Sequence, residues 1–141
     1  MSKGNTFEND LLKLIFNAVG ISGLAQDAAS PLTELVVALH TADPGEAGTQ
    51  ATNETAYTNY ARQTVARNTG GWTVTGESVS PVNNIDFPEC GAAAPGPPIT
   101  HWSVGTGVAN KLLYSGVVTP NITMAEGVVP RVKNTSTITE D

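Results

Sequence analysis

Cysteine is nearly absent: the 141 residues hold one, Cys90. A single thiol cannot close an internal disulfide, so the chain reads as a product of the reducing cytosol. Charge is scarce as well. Lys, Arg, Asp and Glu make up 14% of the residues, well below the roughly 25% of ordinary soluble domains. Within that small share, 7 basic residues face 13 acidic ones, a net charge of −6. No five-residue window has more than two Lys or Arg, so the basic patch of a nucleic-acid binder is missing and no nucleic-acid partner is expected. No apolar run approaches the ~18 residues of a membrane span, the longest being Leu35 to Leu39. The opening MSKGNTFEND also lacks the apolar stretch of a signal peptide, and no membrane partner is expected.

What the chain has in excess is threonine, 18 residues, and valine, 14, together with 14 Gly and 9 Pro. β-Branched residues favour strands, and Gly and Pro favour tight turns, so the composition excludes a helical bundle. At 40% hydrophobic residues it also argues against disorder. A chain of this size buries roughly 65–70% of the surface its unfolded form exposes, enough for a core without a partner.

One segment reads as a helix. Phe7, Leu11, Leu14, Ile15, Ala18 and Val19 recur at spacings of three and four, the period of one helix face. Asn5 and Glu8 have the spacing of a capping box, and Gly20 offers a left-handed stop. Leu12 and Phe16 widen the apolar stripe beyond a single face. Such a helix can pack on its own sheet or dock on another chain. The widened stripe and the turn-rich link from Gly20 to Pro31 favour docking, which makes 1–31 an arm and 32–141 a β-domain.

After Pro31 the period becomes two. Strands are expected at Leu35–Leu39, Tyr60–Arg67, Trp72–Thr75, Ser78–Val82, Ile85–Phe87, Ile99–Gly105, Lys111–Val118 and Thr135–Thr139. About eight short strands predict a mainly β, jelly-roll-like antiparallel β-sandwich with one N-terminal helix. Asn68-Thr69-Gly70-Gly71 reads as a hairpin turn between two of them. Trp72, Trp102 and Tyr114 are the expected core aromatics. The polar stretch from Thr41 to Asn59, opened by Asp43-Pro44-Gly45, is too long for an ordinary hairpin, and loops of that length are usually functional or disordered. Tyr57 and Tyr60 give it aromatic handles for another chain. The candidate partner contacts are therefore Phe7, Leu11, Leu12, Leu14, Ile15, Phe16, Tyr57 and Tyr60.

Nothing in the sequence nominates chemistry. His40 and His101 are 61 residues apart and no pair has metal-ligand spacing, so no metal and no cofactor are expected. Asp43, Glu46 and Glu54 lack the alternation of a calcium loop. There is no Gly-x-Ser-x-Gly elbow, and Cys90 sits in a Gly/Ala/Pro loop with no histidine near it in sequence. The expectation is a binder without catalytic residues.

Six segments carry a resemblance. They are LHTADPGE at 39–46, YAR at 60–62, IDFPE at 85–89, ITHWSVG at 99–105, LLYSG at 112–116 and ITED at 138–141. Together they resemble small structural proteins of tailed bacteriophages, often labelled tail-fibre-like, and among these the capsid cement, or decoration, proteins. The resemblance implies a jelly-roll-like domain that pairs as a homodimer on the outer capsid surface of the virion. Its partner there would be the major capsid protein, which it would cement against internal DNA pressure. A tail-fibre or baseplate component is the alternative that it leaves open.

Overall fold

The computed structural model describes residues 5–20 and 31–140. Most of the link from Gly20 to Pro31 falls outside them, as does the side chain of Phe7. The chain is mainly β, with antiparallel sheets, nine strands and one α-helix among the described residues, consistent with the expected β-sandwich class. The elements are α1 (Asn5–Asn17), β1 (Glu34–His40), β2 (Gln63–Ala66), β3 (Trp72–Thr75), β4 (Ser78–Pro81), β5 (Ile85–Asp86), β6 (Ile99–Gly105), β7 (Leu112–Ile122), β8 (Arg131–Val132) and β9 (Ile138–Thr139). The sheets run β2-β1-β6-β7, β3-β4-β9 and β5-β8. Strand β8 is the addition to the expected set. It pairs antiparallel with β5, Val132 opposite Ile85 and Arg131 opposite Asp86.

The described chain gathers into two compact units that interleave in sequence: Met1–Leu35, Val65–Asn84 and Lys133–Asp141 form the first, and Val36–Thr64 and Ile85–Val132 the second. In the first unit, α1 packs on the hairpin of β3 and β4. The helix residues that turn fully inward are Glu8, Leu12 and Phe16, spaced by four, and the Phe16 ring meets Trp72 edge-on with centroids 4.7 Å apart. This corrects the expected packing face. Leu11, Leu14 and Ile15 are only half-buried and Val19 is 49% exposed, because the stripe that Phe16 shares with Leu12 takes the place against Trp72.

The stop of α1 also differs from expectation. Ala18, at φ 57°, is the left-handed residue rather than Gly20. The open carbonyls of the last turn are taken by Arg67, whose Nε donates to Ile15 O at 2.6 Å and whose Nη2 donates to Leu14 O. A guanidinium at a helix C-terminus satisfies orphan acceptors and opposes the negative end of the helix dipole. Asn68-Gly71 is likewise a turn but not a hairpin, since β2 pairs with β1 and β3 with β4. Asn68 Oδ1 accepts from the N–H of Gly70 and Gly71 at 2.8 and 3.2 Å, and the chain passes from one sheet to the other.

The second unit is built on β1 and β6, paired from Val36↔Gly105 to His40↔His101. Val37 and Leu39 share one face with Trp102 and Val104, while Ala38 and His40 share the other with Ser103, and all seven are buried. A strand buried on both faces reads as a continuous apolar run rather than an alternation, which is what Leu35 to Leu39 shows. Trp72 and Trp102 are both buried as expected, whereas Tyr114 is half-buried.

Candidate functional site

The segment after β1 supplies the second cover of that strand. Asp43 Oδ1 accepts from the Gly45 N–H at 2.9 Å, and Gly45 takes φ 71°, so Asp43-Pro44-Gly45 makes the turn its residues dictate. The chain then folds back on itself. Thr41 N–H reaches Asn53 O, and Thr55 N–H reaches Leu39 O, both at 2.9 Å. The long polar stretch is thus an ordered flap held by backbone bonds, with Gln50 fully buried beneath it.

Under the flap lies a polar cluster. His40 Nδ1 is 2.9 Å from Thr52 O, and its Nε2 is 2.7 Å from Ser103 Oγ. A carbonyl can only accept, so Nδ1 carries the proton and Nε2 accepts from the serine hydroxyl. Burial, the largest influence, lowers the His40 pKa, outweighing the Thr52 carbonyl and Glu54, which both favour the cation. Gln50 Nε2 donates to Val36 O at 2.9 Å and makes a long contact of 3.4 Å with Ser103 Oγ. Gly105 is required beside it, because a Cβ there would collide with the Gln50 carboxamide and with Lys111 O.

Beside this cluster is an ion-paired knot. Glu54 takes Arg62 in a bidentate pair, Nε to Oε1 and Nη2 to Oε2, both at 2.7 Å. The Tyr60 hydroxyl donates to Glu54 Oε1 at 2.8 Å and accepts from the Leu39 N–H at 3.1 Å. Burial drives the Tyr60 pKa far upward, so the phenol stays neutral and keeps its proton for Glu54. The Tyr60 ring stands between Tyr57, edge-on at 5.3 Å, and Phe87, stacked at 6.2 Å.

A serine hydrogen-bonded to a histidine has the form of a nucleophile and its base. Here the chemistry lacks access: His40 is 0% and Ser103 is 1% exposed. The neighbouring carboxylate, Glu54, is committed to Arg62 and Tyr60 and does not orient the ring, whose Nδ1 faces a carbonyl instead. The geometry is that of a bolt between β1, β6 and the flap. Among the described residues no three His, Cys, Asp or Glu side chains converge as metal ligands. A cleft of about 360 Å³ opens between the Asp43–Glu46 turn and Leu112–Ser115 of β7, with Asp43 and Glu46 as its charged residues.

The candidate contact residues are spread over both units. Leu12 and Phe16 are buried within the first, where Leu11, Leu14 and Ile15 keep part of their surface exposed. In the second, Tyr57 is buried, its hydroxyl donating to Pro88 O at 2.7 Å, and burial raises its pKa to about 12. Tyr60 is half-buried in the knot. Sequence reasoning passed over Gln50 and Ser103, whose partners lie 14 to 63 residues away and leave no local mark.

Comparison with known proteins supplies what the side chains do not. Residues 2–139 match the family model described as Podophage GP4 fiber I protein gp80. No curated protein matches the chain. The match is to a fiber family, so the resemblance to capsid cement proteins is overturned. Cementing and a place on the outer capsid surface find no support from this family, and the partnership with a major capsid protein is implied by that resemblance alone. The segments that carry the resemblance are strands and turns, one of them the whole of β6, and none of them bears chemistry specific to a capsid role. The chain is a structural protein of a tailed phage, and it belongs to the Podophage GP4 fiber I protein gp80 family.

Proposed function

We propose that the protein is a structural component of the phage fiber, acting through binding and not through catalysis. The observation that carries this reading is the fiber-family match over residues 2–139. The geometry supports it. The polar groups able to do chemistry are consumed in structural bonds: His40 ties Thr52 of the flap to Ser103 of β6, and Glu54 is paired with Arg62 just ahead of β2. Its partners are other virion proteins and further copies of itself, and it requires no cofactor.

Deleting the gene tests the reading. Phage lacking the protein are expected to package DNA into intact heads, to lack a fiber density in cryo-EM maps, and to adsorb poorly to host cells. Particles that keep their fibers and lose head integrity would overturn the proposal.

A further inference from the structure

The flap is fixed to its sheet by polar contacts and by little apolar surface. Between Thr41 and Glu54 the buried residues are Pro44 and Gln50, while Ala42, Ala47 and Ala51 stay exposed. Segments held in this way lie at the low end of local stability. Gln50 anchors the middle of the flap: its N–H donates to Asn110 O and its Nε2 to Val36 O, both at 2.9 Å. His40 anchors the return, through Nδ1 to Thr52 O.

The hydrogens of this cluster run one way. Gln50 Nε2 points to Ser103 Oγ, the Ser103 hydroxyl donates to His40 Nε2, and His40 Nδ1 donates onward to Thr52 O. A proton added at Nε2 turns that acceptor into a donor aimed at the serine's own hydrogen. Ser103 must then turn its hydroxyl away, and water cannot receive it, because the side chain is buried. Gln50 Oε1 lies toward Gly105 and makes no hydrogen bond to it.

The surrounding charges do not make up the loss. Glu54, at the end of the flap, favours the cation, but it is already paired with Arg62 and accepts from the neutral Tyr60 phenol. Arg62, ahead of β2, and His101, opposite His40 on β6, both disfavour it. Thr52 and Ser103 bring no charge. An imidazolium shut beneath the flap therefore lacks a counter-ion of its own, and lifting the flap gives it water.

We propose that the flap is a latch released by acid: protonation of His40 lifts residues 41–54 from β1 and β6 while the sheet stays folded. Burial makes His40 hold its proton less readily in the closed form than in water. Closure is therefore complete above the ordinary histidine pKa of about 6.5 and weakens as pH falls below it. The event is local, distinct from a loss of stability shared by the whole fold.

The test is native-state hydrogen exchange of the full chain, followed at the Thr41 and Gln50 amides and at the β1–β6 ladder. Protection of the two flap amides is expected to fall about tenfold between about pH 7.5 and about pH 5.5, after correction for intrinsic exchange. Because a local opening exposes little surface, that protection should not respond to low denaturant, whereas the ladder should lose protection as denaturant is added. In His40→Gln, which keeps a donor and an acceptor but cannot titrate, flap protection is expected to be flat with pH. The wild-type comparison stands alone if this variant does not fold. Flap protection that is indifferent to pH, that follows denaturant as the ladder does, or that still falls with acid in a folded His40→Gln protein would each overturn the proposal.

Discussion

His40 Nε2 lies 2.7 Å from Ser103 Oγ with neither residue reaching solvent, so adjacent strands β1 and β6 are joined through side chains as well as backbone. The same imidazole holds Thr52 of the flap. Removing the ring leaves a hydroxyl and a carbonyl buried beside a cavity. His40→Ala is expected to cost about 2–4 kcal/mol in denaturant unfolding, and Ser103→Ala about 1–2 kcal/mol.

The same pair sets a pH dependence. The folded pKa of His40 is lowered by burial, so the unfolded chain takes up the proton first as pH falls. His40 therefore contributes stability that is complete above the ordinary histidine pKa of about 6.5 and declines below it. Melting temperatures measured from neutral to mildly acidic pH are expected to fall through that point, and His40→Gln to remove this part of the decline.

Arg67 gives a prediction in the first unit. Its guanidinium holds Ile15 O and Leu14 O at the end of α1 and Leu32 O at 3.2 Å. Arg67→Ala is expected to cost about 1.5–3 kcal/mol, with Arg67→Lys recovering only part of it because an ammonium lacks the planar fork. Denaturant midpoints of the three proteins check this.

The Tyr60 hydroxyl is the acceptor for the Leu39 N–H and the donor to Glu54. Tyr60→Phe keeps the ring stack on Phe87 and removes both bonds, so a loss of about 1–3 kcal/mol is expected from the stranded N–H and carboxylate. A Tyr60→Phe protein with unchanged unfolding would show that the knot contributes no stability.

The sequence made the strands legible wherever their own residues carry the signal. Trp72–Thr75 and Ile99–Gly105 are bounded as their composition predicts, and Asp43-Pro44-Gly45 turns where its residue types require. The helix was legible as an element, but neither its stop nor its orientation was. Apolar residues at 11, 12, 14, 15 and 16 offer two competing stripes, and the choice was made by Trp72, more than fifty residues away. The flap was illegible for the same reason, since a buried Gln50 bonded to Val36 O looks like any polar loop residue until the chain has folded. No side chain pointed to a fiber; that came from likeness over the whole chain.

Gly105 tests how tightly the flap and β6 are fitted. A Cβ at that position would strike the Gln50 carboxamide on one side and the Lys111 carbonyl on the other, and the latter is backbone. Gly105→Ala is expected to destabilise by more than about 2 kcal/mol, and Gln50→Ala in the same chain to relieve only part of that loss. Unfolding of the single and double variants measures both.

The fiber assignment is tested most directly by finding the protein in the particle. Purified virions labelled with gold-conjugated antibody raised against this chain should carry gold on the tail fibers, with bare heads. Gold spread evenly over the icosahedral shell would contradict the account.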